Sequence, residues 1–162
     1  MTHGADIPVN FFTCDVAPQR LFTHLSPEAA HDFAAIQVVQ EVPKGALLFS
    51  EGQVPNAIVL LQSGGARLSV CSSRGEKLTL RTAKAGELLG LSANVSGKPH
   101  EVTAETTLPS QIVFIKRREF LRFLKDHSDA CMQVVMMLSN DVHAAYERVR
   151  SIGMARVRYS RN

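Results

Sequence analysis

The sequence predicts an α+β protein: an antiparallel β-roll of the double-stranded jelly-roll type, with a short N-terminal helix and a long C-terminal dimerisation helix. Between residues 36 and 116, short apolar runs alternate with glycine-containing turn signals, which is typical of antiparallel sandwiches and jelly rolls. After residue 117 the turn signals give way to apolar residues at helical spacing. A chain of 162 residues, 45% of them hydrophobic, is long enough to bury a substantial core.

A helix and seven strands are predicted up to residue 116. Ser26 as N-cap, Pro27 at the first helical position and Glu28 in the first turn indicate a helix that runs to about Ala35. Turn signals such as Gly64-Gly65 separate the strands that follow. The candidate strands are Ile36–Val42, Ala46–Phe49, Ala57–Gln62, Ala66–Cys71, Lys77–Thr82, Glu101–Thr106 and Gln111–Ile115.

Two helices are predicted at the C-terminal end. Residues 117–126 form an amphipathic pattern, and a long helix follows with Ser128 as N-cap and Gly153 just past its last apolar position. Apolar residues recur along it at steps of four and three, the a/d spacing of a coiled coil. They are Cys131, Val135, Leu138, Val142, Ala145, Val149 and Ile152.

This spacing predicts a homodimer whose interface is Val135, Leu138, Val142, Ala145, Val149 and Ile152. A second stripe of Met132, Met136, His143 and Tyr146 lies beside the first, so we expect one face to pack on the chain's own core and the other on a partner. The alternative is a single long helix folded back on a monomeric core.

Bulk composition excludes several classes of protein. No apolar run approaches the roughly 20 residues of a membrane helix, and the first ten residues lack the basic and apolar regions of a signal peptide, so we expect a cytoplasmic protein without a membrane partner. The cysteines Cys14, Cys71 and Cys131 are far apart and odd in number. They predict buried or half-buried free thiols rather than a disulfide framework or a zinc site.

Charge divides the chain unevenly. Five arginines and no acidic residue follow position 147, which predicts a solvated, frayed end; non-specific contact with nucleic acid is the alternative. The expected organisation is a lead-in (residues 1–21), a β-roll with flanking helices (22–126), the long helix (127–153) and a basic tail (154–162).

The order of glycines and apolar residues resembles the cyclic-nucleotide-binding domain of the Crp/Fnr superfamily of bacterial regulators, over roughly residues 22–153. The resemblance implies that residues 86–103, called the cassette below, form a phosphate-binding turn and short helix. The residues that support it are Pro43-Lys44-Gly45, Leu48-Phe49, Glu51-Gly52, Leu61, Gly64, Gly75 and Ala85-Gly86-Glu87-Leu88-Leu89-Gly90.

The cassette departs from the nucleotide-binding members where the resemblance places their ligand contacts. Leu91 stands where a Glu holds the ribose, and Glu101 and Val102 stand where an Arg and a small hydroxyl residue hold the phosphate. Ala145 and Tyr146 replace a Thr and a Ser of the long helix, and we expect Tyr146 to fill the adenine space. A carboxylate repels a phosphodiester, so ordinary cAMP recognition is not expected.

A different small effector remains a candidate ligand. The hypothetical ligand-binding residues are Gly86, Glu87, Leu88, Gly90, Leu91, Ser92, His100, Glu101, Val102, Thr103 and Tyr146. A polar rim of Ser92, Asn94, Ser96, Lys98, His100, Glu101 and Thr103 is expected above Leu88, Leu89 and Leu91. The alternative is a site closed by its own side chains, with Glu101 bridged to Lys98 or an arginine.

The predicted function is the effector-sensing and dimerisation domain of a Crp/Fnr-type transcription regulator. Changes in the cassette would bias the paired helices, and DNA would be a partner only through a further C-terminal domain of the full-length protein. The alternatives are a cyclic-nucleotide-binding regulatory domain and a degenerate, ligand-free interaction domain.

No catalytic role, metal or cofactor is predicted. A cupin-like enzyme needs two or three histidines and a carboxylate on neighbouring strands, and here His100 alone lies in the sheet region. The resemblance also brings in family members that hold an iron–sulfur cluster with several N-terminal cysteines; only Cys14 stands in that region here, so no such cluster is expected.

Overall fold

The computed structural model describes residue 22 and residues 24–160, without the side chains of residues 158–160. It confirms the predicted fold class: two four-stranded antiparallel sheets face each other, with a short helix before them and a long helix after them. The predicted lead-in and Cys14 lie outside the described residues.

The strands agree with the predicted ones to within two residues at each end, except that β6 was not predicted. The first sheet has the order β1-β8-β3-β6 and the second β2-β7-β4-β5. The elements are α1 (Pro27–Ala35), β1 (Gln37–Val42), β2 (Leu47–Phe49), β3 (Ala57–Ser63), β4 (Gly65–Cys71), β5 (Lys77–Lys84), β6 (Leu88–Leu89), α2 (Leu91–Ser96), β7 (Thr103–Thr106), β8 (Ser110–Lys116), α3 (Arg117–Asp126) and α4 (Ser128–Ser160).

The central strands β8 and β3 of the first sheet are buried on both faces, whereas the edge strand β1 is partly exposed. Between the sheets lies an apolar interior that includes Leu61, Leu68 and Ile112. The outer face of the first sheet, including Leu60 and Val113, is covered by α1, α3 and the start of α4. Strand β3 contributes to both layers, which explains its unbroken apolar run.

An aromatic cluster holds the helical layer together. The ring of Phe33 on α1 lies 5.1 Å from that of Phe22 and 5.2 Å from that of Phe123 on α3. Ala130 and Val134, in the first two turns of α4, are buried in the same layer. The start of the long helix is therefore anchored to the body of the domain.

The predicted N-cap of α1 is confirmed and that of α4 is wrong. The Ser26 hydroxyl accepts a hydrogen bond from Ala29 N (3.1 Å). Ser128, by contrast, is already helical, and the carbonyl of His127 accepts the bond from Cys131 N (3.1 Å). The reason is that α3 ends at Asp126, which leaves His127 alone between the two helices.

The predicted end of the long helix at Gly153 is also wrong. Helix α4 continues to Ser160, and Gly153 does not adopt the positive φ of a glycine cap. A glycine inside a helix costs only about 1 kcal/mol relative to alanine, which the good helix formers after it, such as Met154 and Ala155, offset. The start of the predicted basic tail is therefore helical.

The face of α4 that contacts the body differs from the predicted one. Ala130 and Val134 are buried, and Met137 packs against the same layer. Met132 and Met136, which were expected to pack on the core, are exposed. After about three turns the packing on the body ends, and residues 139–157 are all exposed.

The prediction of buried or half-buried thiols holds for one of the two described cysteines. Cys131 is partly buried and packs against the helical layer, whereas Cys71 is exposed. Cys71 ends β4 at the tip of the β4–β5 hairpin, where it lies beyond the apolar interior.

We expect Gly64→Ala to destabilise the domain more than Gly75→Ala. Both glycines have positive φ (96° and 82°), but a Cβ at Gly64 would overlap the Ser110 side chain and lie 2.9 Å from Pro109 O, whereas a Cβ at Gly75 would meet nothing within 4 Å. Gly75→Ala should cost about 1–2 kcal/mol through backbone strain, and Gly64→Ala about 1–3 kcal/mol more through overpacking. Urea unfolding measures both, and equal losses would contradict the contact.

Candidate ligand-binding site

The cassette begins as a strand and turns sharply into a short helix. Gly86 N donates to Leu61 O (2.6 Å) and Leu61 N donates to Glu87 O (2.9 Å), which adds β6 to the edge of β3. The chain then reverses at Gly90, whose φ of 81° favours glycine. A Cβ there would also lie 3.0 Å from His100 Cε1, so both conformation and space require glycine.

Asn94 fastens the cassette helix α2 to the first sheet. Its side chain is buried, and its Nδ2 donates to Gly90 O (2.7 Å) and Ala57 O (3.0 Å). The backbone carbonyl of Asn94 accepts a bond from Arg117 Nε (2.8 Å) at the start of α3. Asn94 is therefore a structural residue and not part of the solvent-facing rim that the sequence predicted.

His100 is also buried and does not belong to an open rim. Its ring stacks on that of Phe49, with centroids 4.1 Å apart and planes 13° apart. Its backbone N donates to Gln53 O (3.0 Å), and its Nδ1 is buried without a hydrogen-bond partner in the described structure. Burial lowers the pKa of His100, and the nearby carboxylate of Glu101 opposes that shift.

The three residues after His100 do not form an anion site. Glu101 is exposed and forms no salt bridge with any described residue, so the predicted bridge to Lys98 or an arginine is absent there. Val102 packs against the apolar interior between the sheets. The Thr103 hydroxyl accepts a bond from Glu51 N (2.9 Å).

A half-buried ion pair that the sequence analysis missed joins β5 to the cassette. Arg81 Nη1 lies 2.8 Å from Glu87 Oε1, and the side chain of Glu87 is only 9% exposed. The other oxygen of this carboxylate accepts a bond from Lys84 N. Glu87 was predicted as a site residue, but its partner depends on the turn between β5 and β6, which no local pattern reveals.

A cavity of about 620 Å³ lies between this ion pair, the cassette and the long helix. Of the predicted ligand-binding residues, it brings together Glu87, Leu88 and Leu91. The cavity is lined by Arg81, Thr82, Lys84, Glu87, Leu88, Leu91, Met137, Asn140, Asp141, Ala144 and Arg148.

The other predicted ligand-binding residues lie elsewhere. Tyr146 is 71% exposed and does not line the cavity, so it does not fill an adenine space within its own chain. Ser92 is exposed on α2. The cavity lining also omits Gly86 and Gly90, which set the backbone turns, and the whole segment from His100 to Thr103.

The predicted dimer interface is uncovered along most of its length. Leu138 is partly buried against the helical layer. Val135, Val142, Val149 and Ile152 are 53–68% exposed, and Ala145 is exposed as well. These side chains form a continuous apolar stripe on the part of α4 that projects from the body.

The described residues offer neither a metal site nor a membrane span. No group of three or more His, Cys, Asp or Glu residues among them is placed to hold a metal ion. Within the same part of the chain, no helix combines the length and apolar character needed to cross a bilayer.

Comparison with protein families gives one match. Residues 39–127 match the model of the cyclic nucleotide-binding domain, a segment that starts in β1 and ends just before α4. A search of curated proteins gives no match.

Solved structures with the same fold include bacterial regulators and a kinase subunit. The catabolite activator protein of Thermus thermophilus superposes with a TM-score of 0.74 at 20% identity, over 83% of this chain and 63% of that protein. The sensor domain of the transcriptional regulator DNR from Pseudomonas aeruginosa gives 0.69 at 21%, over 88% and 91%.

The regulatory domain of Toxoplasma gondii PKA, crystallised with cAMP, gives a TM-score of 0.62 at 17% identity, over 76% of this chain and 44% of that one. The chain therefore spans about two thirds of the length of the Thermus protein and less than half of the Toxoplasma domain. At these identities the likeness establishes the fold.

We expect His100 to make the domain less stable as the pH falls below neutrality. Because burial lowers the pKa of His100 below its ordinary value of 6.5, the unfolded chain binds the proton more readily than the folded one. Its stabilising contribution is complete above about pH 6.5 and is lost progressively as the pH falls through the folded pKa. Melting temperatures from about pH 7 to pH 5 should fall less steeply in His100→Gln.

The matched control is His31→Gln, because His31 is exposed on α1. It should keep the steeper pH dependence of the parent protein. If His100→Gln and the parent lose stability with the same slope, His100 does not remain neutral in the fold.

Proposed function

This chain belongs to the cyclic nucleotide-binding domain family, and we propose that it is the effector-sensing and dimerisation domain of a Crp/Fnr-type transcription regulator that does not bind cAMP in the usual way. The main support is the chemistry of the cassette, where the three contacts expected for a cyclic nucleotide are replaced by Leu91, Glu101 and Val102. The open cavity beside the long helix supports a different effector.

Each replacement acts against a cyclic nucleotide. Leu91 is 6% exposed and packs in the helical layer, where it has no group to accept a bond from a ribose hydroxyl. Glu101 places a negative charge where the family pairs a guanidinium with the cyclic phosphate, which disfavours an anion. Val102 is directed into the apolar interior and has no hydroxyl.

Dimerisation through α4 is supported by the exposed apolar stripe. The heptad residues from Val142 to Ile152 are exposed, and exposed apolar patches of this kind mark interaction surfaces. The a/d spacing suits a second copy of the same helix. In this proposal, effector binding changes the position of α4 relative to the β-roll and thereby the geometry of the pair.

The proposed regulatory role also concerns the location of the domain, its lack of catalysis and its relation to DNA. The domain acts in the cytoplasm and is not an enzyme. DNA is a partner only if the full-length protein carries a C-terminal DNA-binding domain. The effector binds at the cassette and the adjoining cavity, and the response is a change in the angle or register of the paired helices.

Ordinary cAMP binding is the second candidate function. It is favoured by family membership and by the likeness to the Toxoplasma regulatory domain that was crystallised with cAMP. A ligand-free interaction domain is the third candidate. The packing of Leu91 and Val102 into the two apolar layers favours it, whereas the volume of the cavity does not.

We expect cAMP to leave the melting temperature of the parent protein unchanged. A ligand at about 100 times its Kd adds about 2.7 kcal/mol to the free energy of unfolding, which raises Tm by about 5 °C or more in a domain of this size. The charge-restored variant Glu101→Arg/Val102→Ser should gain a shift that Glu101→Gln/Val102→Ser lacks. A shift of this size in the parent would support ordinary cAMP binding instead.

We expect Val142→Asp/Val149→Asp to convert a dimer into a monomer. Both side chains are exposed in the single chain, so the fold should tolerate the change, whereas Leu138 also packs on the body and would not separate the two effects. Carboxylates buried without partners in the seam should raise the dimer Kd by about 100-fold or more.

Sedimentation equilibrium measures this change. Ser151→Asp is the matched control, because Ser151 is exposed on α4 but lies outside the apolar stripe; it should remain dimeric. A parent protein that is monomeric, or a double variant whose mass is unchanged, would show that the seam does not pair.

A further inference from the structure

The cavity beside α4 has two walls of different character. One wall is the end of β5 with the cassette, and the other is a single face of the long helix. The inference about the ligand of this cavity rests on the function proposed above, because only a sensing role requires a bound ligand.

On the β5 wall, the guanidinium of Arg81 is held in position by Glu87. Glu87 accepts bonds from both Arg81 and the backbone of Lys84, and its carboxylate is nearly inaccessible to solvent. Arginine has five N–H donors in a fixed fork. Holding one of them at Glu87 therefore orients the guanidinium, while Arg81 keeps donors for a further acceptor.

The helical wall is separate from the predicted dimer interface. Met137, Asp141, Ala144 and Arg148 follow one another at steps of four, three and four, so they share one face of α4. Each lies one residue before a position of the apolar stripe, which turns the cavity face by about 100° from the seam. A dimer formed through the stripe leaves Met137 and Ala144 outside the seam and places Asp141 and Arg148 at its edge.

Charge and polarity define the class of ligand. The lining holds three cationic side chains, Arg81, Lys84 and Arg148, and two carboxylates, Glu87 and Asp141. The formal sum is 3 − 2 = +1, which complements one negative charge. Leu88, Leu91, Met137 and Ala144 add an apolar surface, and about 620 Å³ lies within the usual range of small-molecule sites.

We propose that this cavity binds a small amphipathic monoanion, a carboxylate on an apolar body. The carboxylate meets the cationic lining formed by Arg81, Lys84 and Arg148, and the apolar body lies against Leu88, Leu91 and Met137.

Such a ligand would contact both the β-roll and α4. Beyond its first turns α4 stands away from the roll, with the cavity between them. An occupant that contacts both the cassette and Arg148 would hold the helix at one distance. A ligand shifts a conformational equilibrium by the difference between its affinities for the two states, and this bridging contact supplies such a difference.

The test measures binding of octanoate and 2-naphthoate to the full chain by isothermal titration calorimetry, with octanamide as the neutral counterpart of octanoate. At least one carboxylate should bind, and octanamide should bind about tenfold or more weakly than octanoate because it lacks the charge-assisted contact. If neither carboxylate binds, or if octanamide matches octanoate, the proposed ligand class is wrong.

Two arginine variants locate the site. Arg148→Gln should weaken carboxylate binding about tenfold or more. Arg150→Gln should leave it unchanged, because Arg150 lies outside the cavity lining and 3.7 Å from Glu147 on the outer helix surface. Equal effects of the two variants would place the bound anion elsewhere and overturn the assignment.

The dimer Kd distinguishes the failure of this inference from the failure of the proposed function. Carboxylate binding that changes the dimer Kd supports both. Binding that depends on Arg148 but leaves the dimer Kd unchanged supports the ligand class and contradicts the sensing role. If the carboxylates do not bind but another small molecule changes the dimer Kd, the sensing role stands and the ligand class is wrong.

Discussion

Apolar packing anchors the first turns of α4 to the body of the domain, and this anchor fixes where the rest of the helix lies. Ala130 and Val134 are buried against the aromatic cluster of Phe33 and Phe123, so apolar burial holds this end of the helix to the first sheet. Residues 139–157 are all exposed, and an apolar stripe runs along this part of the helix. One helix thus belongs to the domain core at its start and carries an exposed apolar stripe along the rest.

The sequence predicted most of the fold because the determinants are local. The alternating strands, the glycine turns and the Ser26 cap each depend on neighbouring residues. Strand β6 was missed because it has only two residues and exists through pairing with β3. The ends of α4 were misjudged because local cap residues, Ser128 and Gly153, are compatible with helix as well as with a cap.

The candidate site was less predictable because its contacts are distant in sequence or depend on turn geometry. Matching residues to a family motif identified Leu91 and Glu101 as unusual, but it could not show that His100 stacks on Phe49, 51 positions earlier. Nor could it show that Arg81 turns back to Glu87. The cavity itself is a tertiary feature, since its walls come from β5, the cassette and a helix that begins 37 residues after Leu91.

Helix α4 carries both the apolar stripe and one wall of the cavity. The apolar stripe and the cavity face are related by a rotation of about 100° about the same axis, so the helix cannot rotate to improve one contact without changing the other. Apolar pairing of two stripes favours one rotation and one distance between the helices. The ion pair of Arg81 and Glu87 keeps the opposite cavity wall in place, so any movement of α4 changes the width of the cavity. If the stripes pair and the cavity is occupied as proposed above, ligand affinity and helix pairing are linked by this geometry, and the linkage acts equally in both directions.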